Sequence, residues 1–134
     1  MRRPNGFARF VGRQGFHCLY LVTAEHDGSL KIGVTADVPD GFSSLRSASP
    51  TELRLRRHWW LAGKLISRRI KKSFLETFEG QRIGGDWFAT PLPEAEAFVE
   101  RMIHRIGTWG ATDAEMIAEM QRRERQSLSR MLPQ

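Results

Sequence analysis

Two short apolar runs, FHCLYLVTA (16–24) and SLKIGVT (29–35), flank Asp27-Gly28, and this arrangement constrains the fold more than any other stretch of the chain. Both runs suit a half-buried pleated surface, and Asp-Gly supplies the backbone conformations of a tight turn, so the segment predicts a β-hairpin. ELRLRRHWWL (52–61) predicts a third strand, in which Leu53 and Leu55 alternate with Arg54 and Arg56. Successive strand residues point to opposite faces. Trp59 and Trp60 are therefore expected not to face inward together, which leaves one of them exposed for packing or base stacking.

The remaining segments predict helices. Pro39-Asp40 opens a short one containing Phe42 and Leu45, ended by the turn-like SASP. In SRRIKKSFLETF (67–78) and its flank, Ile66, Ile70, Phe74 and Phe78 recur at helical spacing, which predicts a helix over 64–79 with one buried face. GQRIGGDWFATPL reads as a Gly-rich connection, and Ala95, Phe98, Met102 and Ile106 mark a helix over 94–106. Thr112 and Glu115 form a capping box that opens a last helix reaching Leu132. It is apolar at Ile117, Met120, Leu128 and Met131 and basic around RRERQ.

The expected class is α+β: a small three-stranded, mainly antiparallel sheet flanked by helices, with a C-terminal helical extension. Three parts are expected. Residues 1–14 hold Arg2, Arg3, Arg9 and Arg13 without an acid, and Pro4, Gly6 and Gly12 argue for a flexible basic arm. Residues 15–106 form the folded domain, and residues 107–134 form the extension.

The net charge is +6 with a pI near 10.4, carried mostly by arginine. Arginine suits planar recognition of phosphate, so polyanions, DNA first and RNA second, are the leading partner class. The plain alternative is a basic solvated surface or one that binds an acidic protein. No apolar run approaches a membrane span and no signal-peptide core is visible, so a membrane partner is not expected. A lone Cys18 fits a buried thiol in a reducing, cytoplasmic setting. His17, His26, His58 and His104 lack ligand spacing, and no zinc site or nucleotide-phosphate loop is indicated.

CLYLV with Tyr20, KIGVT with Lys31, LRSASPTELRL, and RIGGDWF with Arg82 and Asp86 occur in series over residues 16–90. Together they resemble the GIY-YIG nuclease superfamily, in particular a branch whose second motif reads Lys-Ile-Gly and whose domain ends in Gly-acidic-Trp-Phe. The resemblance implies a small sheet with flanking helices and, in active members, metal-dependent cutting of DNA. It implies that Tyr20 and Lys31 line the scissile-phosphate site. An arginine that steadies transition-state charge would stand at Gly41, and a metal-binding glutamate at Lys71.

Those two departures decide the expectation. Glu76 lies roughly 140° around the helix from Lys71, so it is no replacement. An ammonium repels Mg²⁺ at the position that would hold it. The chain is therefore expected to bind nucleic acid through Tyr20, Lys31, Lys64, Arg68, Lys71 and Arg82 without cutting it. No catalytic residue, metal or cofactor is assigned. The alternative is an active nuclease with a relocated carboxylate, which would need Mg²⁺. A third reading is a basic interaction module, with a homo-oligomer or protein partner held through the C-terminal helix.

Overall fold

A computed structural model of the chain describes residues 3–36 and 52–132. Gly41 and the helix expected near Phe42 lie outside the described residues. Within them the element order is α1 (Phe7–Arg13), β1 (His17–Ala24), β2 (Leu30–Thr35), β3 (Leu53–Leu61), α2 (Lys64–Thr77), β4 (Arg82–Gly84), β5 (Trp87–Phe88), α3 (Leu92–Ile106) and α4 (Asp113–Met131). The strands form one antiparallel sheet in the order β3-β1-β2-β5-β4. The hairpin at Asp27-Gly28 is present, with Thr23 opposite Leu30. No helix among the described residues is long and apolar enough to cross a membrane.

The class is α+β as expected, but the sheet has five strands rather than three. The additional pair comes from RIGGDWF, which forms the short β4–β5 hairpin instead of a plain connection. Leu30 pairs with Phe88 and Lys31 with Trp87, so the hairpin extends the sheet beyond β2. Its anchor is Phe88, fully buried and edge-on to Phe74 at 5.3 Å. Strands of three and two residues are too short to show alternation, so nothing in their pattern separates them from a loop.

Both faces of the sheet are covered. Leu19 and Leu21 of β1, with Leu30 and Ile32 of β2, pack against Ile70 and Phe74 of α2 and Phe98, Val99 and Ile103 of α3. Residues of the other parity in β1 point the opposite way. On that second face Cys18 and Trp60 join Phe7, Val11 and Phe16 with Met116 of α4.

This second cluster overturns two expectations. Trp59 and Trp60 do point to opposite faces, yet both are buried, at 3% and 0% exposure, because each face has its own cover. Their indole N–H groups are satisfied by Glu100 at 3.0 Å and Asp113 at 2.7 Å, as buried tryptophans require. The stretch expected as a flexible arm is helical over Phe7–Arg13. Phe7 and Val11, four residues apart, bury one stripe, and Arg3 pins the start of the segment to Asp113 at 2.9 Å. Sequence reading weighted Pro4, Gly6 and Gly12 above that apolar pair. The capping box of α4 forms as expected, and the helix buries Met116 and Met120 while Leu128 and Met131 stay exposed.

Candidate phosphate-binding site

Tyr20 and Gly33 face each other across the β1–β2 pair. The tyrosine ring lies over the glycine so closely that a Cβ at Gly33 would fall 2.2 Å from Tyr20 Cζ. Only a residue without a side chain fits there. Tyr20 is 7% exposed, and its phenol is raised above its ordinary pKa, first by burial and then by Cys18 and the negative charge of Asp86. It is held neutral, as a hydrogen-bond donor.

Lys31 precedes Gly33 by two residues and shares its face. Its strand neighbour is Trp87, and the residue before Trp87 is Asp86, at the turn of the β4–β5 hairpin. Lys31 Nζ lies 3.8 Å from Asp86 Oδ2. From α2, Lys71 Nζ donates to the same oxygen at 3.3 Å. The fold thus brings Lys31 and Lys71 together at one carboxylate, Asp86, while Tyr20 lies over Gly33, on the same face as Lys31, and feels the charge of Asp86.

The cluster carries one negative and two positive charges. Its groups are partly exposed, at 22% and 27% for the lysines and 36% for Asp86. Ion pairs of this exposure stabilise a fold by only about 0–1 kcal/mol. Opening these two pairs therefore costs little, and it would free two ammonium groups for an anion. A divalent metal does not suit the same donors. Asp86 is the one carboxylate that Lys31 and Lys71 contact among the described residues, and both ammonium groups repel a cation. Among the described residues no three of His, Cys, Asp and Glu gather.

The other expected residues divide. Lys64 and Arg68 stand on the Lys71 side of α2, about two turns and one turn before it, exposed and with no ion pair among the described residues. They extend the positive edge away from the Tyr20 cluster. Arg82 is used locally: its Nε donates to the Gly85 carbonyl at 2.8 Å and its Nη1 to Glu79 at 3.2 Å. It holds the hairpin turn, through these partners rather than through Asp86.

Sequence reasoning missed Asp86 as a member of this cluster. The residue was visible in the GDW motif, but its position depends on the hairpin pairing with β2. It also missed a second junction, at Asp113. Oδ1 of Asp113 takes Trp60 Nε1 at 2.7 Å and lies 3.0 Å from His58 Nε2, while Oδ2 takes Arg3 Nε. Burial opposes ionisation of Asp113, but hydrogen bonds from His58, Arg3 and Trp60 outweigh it and hold the carboxyl well below the usual range. This junction ties α1, β3 and α4 together and is structural.

Comparison with known proteins gives no relative: no family model, no curated protein and no solved structure matches the chain.

Proposed function

We propose that the chain is a nucleic-acid-binding protein, with DNA as its ligand, built on a GIY-YIG nuclease-like fold that no longer cuts. The observation that carries this reading is Lys71 meeting Lys31 at Asp86. On the resemblance, Lys71 stands where an active member keeps its metal-binding glutamate, and Gly41 where it keeps its arginine. An ammonium there neutralises a phosphate without activating water, so the ligand is held and released intact. Regulatory or accessory roles on DNA suit such a protein.

Binding dominated by phosphate contacts falls steeply with salt. The test is a titration of labelled duplex DNA across salt concentrations, with Lys71→Glu and Arg68→Ala beside the parent chain. Both variants are expected to bind more weakly, Lys71→Glu the more so because it reverses a charge. Unchanged affinity in both would remove the cleft from the interface.

The second reading is an active nuclease with a relocated carboxylate, for which Asp86, the acid that Lys31 and Lys71 share, is the candidate. Incubation of plasmid DNA with Mg²⁺ or Mn²⁺ separates the two. Cleavage that is lost on Tyr20→Phe would replace the non-cutting reading with this one.

A further inference from the structure

A groove of about 490 Å³ runs between α1 and the middle of α4. It lies on the side of the sheet that also carries Tyr20 and Lys31, because the helices pack on Cys18 and Trp60 of that face. Three arginines line it: Arg9 and Arg13 from α1, and Arg123 from α4. Glu124 is the acid in the lining.

The three arginines are not equivalent. Arg123 is fixed in place. Its Nε donates to Glu119 at 2.8 Å, its Nη1 donates to the side-chain oxygen of Gln14, and its guanidinium stacks over Phe10 at 5.6 Å. It braces the two helices, while its Nη2 bonds to nothing among the described residues. Glu119 is shared with Arg122, so it does not cancel the local charge. Arg9 and Arg13 are exposed and form no hydrogen bond or ion pair among the described residues. They lie four residues apart on α1, a rise of roughly 6 Å, and so project from one side of the helix.

Two guanidinium groups without a partner among the described residues, beside a third held in place, can meet more than one anionic group. Guanidinium forks match phosphate oxygens two at a time, and a rigid partner loses less freedom on binding than a free surface arginine. We infer that the α1–α4 groove is a second phosphate site, which grips the sugar-phosphate backbone of a nucleic acid through Arg9, Arg13 and Arg123. This rests on the nucleic-acid reading above and extends it. The protein holds its ligand at two separate places, one at Lys31 and Lys71 and one in the groove, so the footprint is longer than the nuclease-like cleft.

The experiment is fluorescence anisotropy with labelled duplex DNA, single-stranded DNA and RNA of one sequence, titrated at several salt concentrations. The chains are the parent, Arg9→Gln/Arg13→Gln and Lys71→Glu, with circular dichroism melting to show that each is folded. The glutamines leave Arg123 and the packing of α1 untouched. The double variant is expected to bind every sequence more weakly and to lower the log–log salt slope by about two units, one for each lost phosphate contact. The three probes decide which nucleic acid the groove serves.

If the double variant binds as the parent does while Lys71→Glu is impaired, the groove is not a site and the cleft reading survives. The reverse result keeps the groove and removes the cleft. If the parent binds none of the three probes, both fall.

Discussion

The ring of Tyr20 occupies the space that a side chain at Gly33 would need, with the glycine Cβ position 2.2 Å from Cζ. The glycine of the Lys-Ile-Gly motif is thus a packing requirement of the tyrosine opposite it. Gly33→Ala must push the ring off the strand, and overpacking of this kind costs about 1–3 kcal/mol. In a Tyr20→Ala background, itself destabilised by loss of a buried ring, Gly33→Ala should cost little more, since the clash then disappears. Chemical denaturation of the two single variants and the double variant checks the coupling. A Gly33→Ala chain as stable as the parent would show that the contact is not close.

Asp86 occupies both Lys31 and Lys71, so its removal should act opposite in sign to removal of a lysine. Asp86→Asn keeps the size of the side chain and deletes the charge. It is expected to tighten DNA binding several-fold and to steepen the salt dependence by up to about two units, as Lys31 and Lys71 become available to phosphate. Lys71→Glu should weaken binding in the same titration. A weaker Asp86→Asn complex would mean that the carboxylate orients the lysines for the ligand instead of competing with it.

The reach of sequence reasoning is clear from these residues. The β1–β2 hairpin, β3 and α2 were legible because their apolar periods are local and uninterrupted. Lys31 and Lys71, which meet at Asp86, were both singled out in the sequence through motif order. The Asp86 contact was not, because it depends on two-residue β5 pairing with β2, a tertiary event with no periodic signature. The burial of Trp60 was not legible either. It depends on helices from opposite ends of the chain meeting over one sheet face, and α1 carries only two buried residues to announce itself.

That meeting predicts a stability effect from a segment expected to be loose. Phe7 stands edge-on to Trp60 at 5.7 Å and is 3% exposed. Phe7→Ala should destabilise the whole domain by about 3–5 kcal/mol, the range for buried aromatic truncations. Arg9→Gln on the exposed side of the same helix should change stability by less than about 0.5 kcal/mol. Thermal melts of the two variants compare them directly. Equal effects would indicate that α1 does not contribute to the core.

Asp113 gives the fold a pH dependence whose direction follows from its surroundings. Its carboxyl is held well below an ordinary aspartate by His58, Arg3 and Trp60, against the opposing effect of burial. The unfolded chain titrates this group near an ordinary value of about 3.9. Above that value both states are ionised and the ionised form is bound only in the folded state, so the stabilisation is complete. As pH falls through the unfolded value toward the folded one, the unfolded chain takes up a proton first and the advantage drains away. Asp113→Asn removes the charge at every pH. It should therefore be less stable than the parent by about 1–3 kcal/mol at neutral pH, the cost of weakening hydrogen bonds to buried donors. The difference should shrink below about pH 4. Urea denaturation of both chains at pH 7 and pH 3 measures it. A gap that stays constant across that range would mean that the hydrogen bonds of Asp113 do not depend on its charge.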